Sequence, residues 1–188
     1  MKNNLLKVSV LSLFALLCIQ CTNSRKFSIS KGKVGSLTTQ TRILDLESIF
    51  SKDSIVKNLS EGSLGENYFQ DDDEYLIYEK GGKHLLTIIP KEQLDSTSTI
   101  KSIQIFDDRY TTKSGITLNS SFEDINLSNT ISKVESSLSS ATLFIDDLNI
   151  TIALDKEDLG LKPFNNQPIS LEQIPGLAKV KSFIVWFN

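Results

Sequence analysis

His84 is the chain's one histidine, and therefore the one side chain whose ordinary pKa would place a general base near neutral pH. A serine nucleophile would have to borrow it, so a Ser/His/acid site is the first chemistry to weigh. No G-x-S-x-G elbow or other nucleophile signature accompanies it. Its place just after Gly81-Gly82 predicts instead a cross-strand pair with Glu79 at the rim of a hairpin. Carboxylates are more plentiful: Asp71-Asp72-Asp73-Glu74, Asp107-Asp108, Asp146-Asp147 and the acids between Asp155 and Asp158. Convergent acids could bind a hard cation or form a hydrolase pair. The EF-hand spacing with its glycine and terminal glutamate is absent, and no spacing singles out two acids. These runs are expected to be solvated loop charge. Gly62 and Gly65 are expected in a turn, because no P-loop lysine follows them. The expectation is no catalytic residue, no metal site and no cofactor.

The two cysteines, Cys18 and Cys21, stand at the end of a different kind of segment. Lys2 and Lys7 precede the apolar run from Val8 to Ile19, which is too short to cross about 30 Å of hydrocarbon as a helix. A basic start followed by a short apolar core predicts a signal peptide over residues 1–20. Cys21 then resembles the acylated cysteine of the bacterial lipoprotein lipobox. A typical lipobox has leucine three places earlier and a small residue just before the cysteine, where this chain has Cys18 and Gln20. Cys18, after Ala15, Leu16 and Leu17, is the alternative acceptor. Acyl chains contribute about 0.8 kcal/mol per buried CH₂, enough for two or three of them to hold a domain on a bilayer.

Cleavage before Cys21 removes two lysines and no acid, turning a net charge of −3 into −5. With Cys21 acylated no free thiol remains, which excludes disulfides, thiolate catalysis and cysteine-based metal sites. The negative charge and dispersed basic residues exclude nucleic acid as a partner. Residues 21–30 read as a lipid-anchored polar tether, and no acid follows Cys21 directly, which suits passage to the outer membrane. The expected address is the cell envelope, lipid-anchored at the outer membrane and facing the periplasm. Secretion, or a soluble periplasmic state, is the alternative. The expected partners are the membrane, through its anchor, and an envelope protein.

Residues 31–188 carry no repeat and no second composition zone, so a single α+β domain is expected, mainly antiparallel sheet with a few helices packed on it. Lys33 to Thr38 reads as a first strand, with Gly32 and Gly35 allowing a bend. Ile43, Leu46 and Phe50 share one helical face. Gly81-Gly82 predicts a hairpin pairing Ile77 with Leu86 and Tyr75 with Ile88, and on the other side Leu76 with Thr87 and Tyr78 with Leu85. A strand over Thr99 to Phe106 and a hairpin turning at Asp146-Asp147 follow. A capping box starts a helix at Ser120 with Glu123 or at Ser121 with Asp124. The last strand, Val180 to Phe187, is apolar at both parities and so is expected inside the sheet.

The series Val34-Gly35-Ser36-Leu37-Thr38, Tyr78-Glu79-Lys80-Gly81, Ile100 to Asp107, Thr112, Gly115-Ile116, Ser121-Phe122-Glu123-Asp124 and Val180 to Trp186 resembles small uncharacterised bacterial envelope lipoproteins of the sigma-E-regulated type. That resemblance implies an envelope address and carries over no site residue, because the family has no assigned activity. A non-enzymatic binding or structural module is therefore the leading expectation. One alternative is a carrier of a small apolar ligand in a cavity lined by Leu76, Tyr78 and Leu85. The other is a periplasmic hydrolase built on carboxylates or on a serine with His84.

Overall fold

Alternation of apolar and polar residues gives the chain its main element, an antiparallel sheet of eight strands. The computed structural model describes residues 26–60, 72–137, 139–160 and 168–188, so residues 1–20, where a signal peptide is expected, and Cys18, Cys21, Gly62, Gly65 and Asp71 lie outside it. In chain order the large sheet comprises β4 (Ser54–Asn58), β5 (Glu74–Tyr78), β6 (His84–Pro90), β7 (Ile100–Ile105), β9 (Lys133–Ser136), β10 (Ser140–Ile145), β11 (Ile150–Asp155) and β12 (Val180–Trp186). They are arranged β4-β5-β6-β7-β12-β11-β10-β9. A four-stranded sheet is made from β1 (Ser28–Ser30), β2 (Lys33–Val34), β3 (Leu37–Thr38) and β8 (Thr111–Thr112), in the order β3-β2-β1-β8. Two short helices, α1 (Leu46–Ile49) and α2 (Phe122–Ser128), complete a single α+β domain.

Register makes one face of the large sheet apolar across its six inner strands, while the same row ends at Lys57 on the edge strand β4. Tyr75, Ile88, Ile103, Val185, Ile150 and Ile145 lie opposite one another across six strands, each 8% exposed or less. That face shares a core with Ile29, Val34 and Leu37 of the small sheet, Leu46 and Phe50 from around α1, and Phe122 and Ile125 of α2. The reverse row runs Val56, Leu76, Thr87, Gln104, Ile184, Thr151, Phe144 and Lys133, and mixes polar with apolar side chains. The last strand is interior, as its two-sided apolar character requires: β12 lies between β7 and β11 with Phe183 and Val185 fully buried.

Three expectations are corrected. Lys33 to Thr38 is a hairpin and not one strand, because Gly35 at φ +56 turns the chain between β2 and β3. The ordered fold also begins before residue 31. Phe27 packs edge-on against Tyr110 at 5.0 Å, and Ile29 in β1 is 2% exposed, so the polar segment 21–30 yields its last residues to the domain. Thirdly, the Gly81-Gly82 hairpin holds Tyr75, Leu76 and Ile77 in the expected register, but a bulge after Ile77 puts Tyr78 opposite His84 instead of Leu85.

Candidate functional site

The bulge decides the fate of His84. Its ring stacks on Tyr78 at 4.7 Å and on Phe106 at 4.0 Å, while Nε2 lies 3.1 Å from both the Thr87 hydroxyl and the Leu86 carbonyl oxygen. Burial depresses its pKa below the ordinary histidine range, against the opposing pull of the Leu86 carbonyl. The expected Glu79–His84 pair is not made. Glu79 is held by Arg109 through two hydrogen bonds of 2.9 and 3.1 Å. The imidazole is thus an aromatic-stack residue whose described hydrogen-bond partners include no serine and no carboxylate.

The acidic runs also differ from the expectation of solvated charge. Asp107 is fully buried, and Arg109 Nε donates to both its oxygens at 3.0 and 3.1 Å, with Lys83 Nζ at 3.1 Å. Burial alone would raise this carboxyl; the donors from Arg109 and Lys83 outweigh it and hold the group well below the usual carboxylate range. Asp73, 1% exposed, accepts from the Ser60 amide and hydroxyl and from the Leu94 amide. Again burial opposes ionisation and the backbone donors prevail. These acids fix loops. A carboxylate saturated with donors is a poor proton acceptor. Among the described residues no three His, Cys, Asp or Glu side chains gather as a metal site.

Leu76 and Tyr78 share one face of β5, and Leu85 stands in β6. Leu85 is fully buried, whereas Leu76 and Tyr78 are half-buried and Tyr78 is covered by the His84 ring. None of the three lines the clefts described next.

A concavity of about 780 Å³ lies instead where the small sheet meets α2 and the β10–β11 turn. Each wall has a local cause. Ser121 caps α2, accepting from the Asp124 amide while the Asp124 carboxylate accepts from the Ser121 amide, and this turns Phe122 and Ile125 inward. Leu127 then falls off the buried stripe and is 79% exposed. Asn129 closes the helix end by donating to the Ile125 carbonyl and accepting from the Ser114 hydroxyl. On the opposite wall Asn149 adopts φ +53, turning the chain so that Ile145 and Leu148 line the cleft. Ile29 and Ser30 of β1 also line it, and Lys31 at the β1–β2 tip donates to the Asp146 carbonyl at 3.5 Å. Lys113 and Asp147 stand at the cleft without an ion-pair partner among the described residues. The cleft is a size that suits a small ligand, with an aliphatic lining and two opposite charges.

A smaller groove of about 440 Å³ crosses the reverse face of the sheet at Phe144, Ile184 and Trp186. Its indole N–H already donates to Thr151 at 3.0 Å. Sequence reasoning missed the larger cleft because its residues come from distant segments. Leu127 alone gave a signal, being an apolar residue off the face set by Phe122 and Ile125.

Neither a protein-family model nor a curated protein matches the chain. The crystal structure of the uncharacterized protein yfeY from Escherichia coli is similar, with a TM-score of 0.56 at 14% identity, covering 85% of this chain and 99% of that one. At that identity the likeness shows the fold. No helix among the described residues is long and apolar enough to cross a membrane.

Proposed function

We propose that this chain is a lipid-anchored envelope protein, held through Cys21, with Cys18 the alternative acceptor, that works as a non-catalytic binding module. The observation that carries the binding role is the cleft beside β1. It combines an aliphatic lining, an exposed leucine and two charges without an ion-pair partner among the described residues. The His84 stack and the saturated Asp107 and Asp73 carboxylates support a role without proton transfer. The anchor rests on the basic start, the short apolar run and the cysteine that follows it. The proposed position is the outer membrane, facing the periplasm.

Cell fractionation tests the anchor. The wild-type chain is expected in the membrane fraction and Cys21→Ser in the soluble one. Release by Cys18→Ser but not by Cys21→Ser would move the acceptor, and a soluble wild type would overturn the anchor. Native mass spectrometry of the purified full chain tests the binding role: a non-covalent adduct is expected, and it should disappear in Leu127→Asp.

A further inference from the structure

We infer that the cleft takes a zwitterionic amphiphile: a bilayer lipid whose headgroup carries both a phosphate and a primary ammonium. This rests on the cleft being a ligand site and names the chemistry of what enters it. Three observations carry it. Leu127 is 79% exposed and the half-buried Leu148 lines the same cleft, beside Ile29 and Ile145 that the core already keeps dry, so a hydrocarbon chain laid there would cover the apolar surface that packing within the domain leaves wet.

The second observation is charge. Lys113 and Asp147 line the same cleft with opposite signs, yet no ion pair joins them, and neither is paired elsewhere among the described residues. Some exposed lysines of the domain find acids, as Lys57 meets Glu47 and Lys181 meets Asp155, while Lys113 shares its lack of an ion pair among the described residues with Lys80 and Lys91, which line none of the described clefts. A purely anionic amphiphile would satisfy Lys113 and meet repulsion from Asp147; a cationic one would reverse the problem. A headgroup with a phosphate and an ammonium answers both. The Ser30 hydroxyl in the cleft lining adds a neutral donor for phosphate oxygens.

The third observation is position. Ile29 and Ser30 follow Cys21 by eight and nine residues. At about 3.4 Å per extended residue the cleft therefore lies no more than about 30 Å along the chain from the proposed acyl sulfur. The proposed anchor thus keeps the cleft within tether's length of the bilayer, whose lipids are the amphiphiles nearest to it.

The test uses full-chain protein extracted in a non-ionic detergent. It is titrated separately with dihexanoyl-phosphatidylethanolamine and dihexanoyl-phosphatidylglycerol, and the bound fractions are read by native mass spectrometry. Because both charges are solvent-exposed, the ethanolamine lipid is expected to be preferred by about threefold to fivefold. Asp147→Asn should abolish that preference by weakening the ethanolamine lipid alone, Lys113→Gln should weaken both lipids, and Leu127→Asp should remove both. All three positions are exposed, and circular dichroism will confirm that each variant is folded. Equal binding of the two lipids, or a preference that survives Asp147→Asn, overturns the zwitterion assignment while a loss in Leu127→Asp leaves the ligand cleft standing. Failure of both lipids to bind overturns the cleft reading and the assignment together.

Discussion

Asp107 shows how much can depend on one carboxylate. It is fully buried, it is charged because Arg109 and Lys83 donate to it, and Arg109 in turn holds Glu79 and lies 4.3 Å from the Phe27 ring. One ionised group thereby connects the β5–β6 hairpin, the loop after β7 and the point where the N-terminal segment enters the fold. Asp107→Asn keeps the shape and removes the charge, so a loss of about 2–3 kcal/mol is expected in urea unfolding, with an unchanged m-value. His84 works in the other direction. Its folded-state pKa is depressed, so the unfolded chain takes up the proton first as pH falls. The contribution is complete above the unfolded value near 6.5 and is lost as pH drops through the depressed folded value. Unfolding curves between about pH 7.5 and 5.5 should therefore show falling stability in wild type and a flatter profile in His84→Phe. Equal slopes in the two proteins would show that His84 does not titrate differently on folding.

At the scale of elements, α2 is seven residues long, too short to stand by propensity, and it depends on its ends. Ser121→Ala removes the oxygen that accepts the Asp124 amide, and thermal unfolding should register a loss of about 1 kcal/mol. A Ser121→Ala protein with wild-type melting would show that packing of Phe122 and Ile125 holds the helix unaided. This cap was legible because its spacing is local. The Gly81-Gly82 hairpin was legible for the same reason, down to three of its pairs. The bulge was not, since an extra residue leaves the apolar alternation of β6 readable in either register, and that residue decides whether Tyr78 meets Leu85 or His84. The small sheet was hidden more thoroughly. Strands of two and three residues carry no usable period, and the parallel pairing of Ile29 with Thr112 joins positions far apart in sequence. Much of the cleft is built on that pairing, so its residues could not have been assembled from composition or motif.

For the whole molecule, the order of the described strands in the large sheet shows two runs, β4 to β7 and β9 to β11, with β12 pairing with both. Phe183 and Val185 on β12 are fully buried, as is Phe187 just after it. Deleting residues 180–188 removes these side chains and leaves β7 and β11 as open edges. At about 1.5–3 kcal/mol per large apolar side chain, and with ladder pairing lost on both sides, this approaches the whole stability of a domain. The truncated chain should show no cooperative transition by calorimetry; a sharp melt would mean that the two runs are separately stable. The interior place of β12 was readable in its two-sided apolar pattern, whereas its neighbours were not, because pairing across such distances leaves no local trace.

The same arrangement bears on how the chain comes to be folded at all. Among the described strands β12 is synthesised after all those it joins, so the two half-sheets wait with unsatisfied edges until residues 180–186 emerge. Until then the chain ahead of β12 has little to close its sheet, and β7 and β11 stand as open edges. Burial of Phe183, Val185 and Phe187 fills that gap, so a product terminated before residue 180 is expected to be exposed to proteolysis.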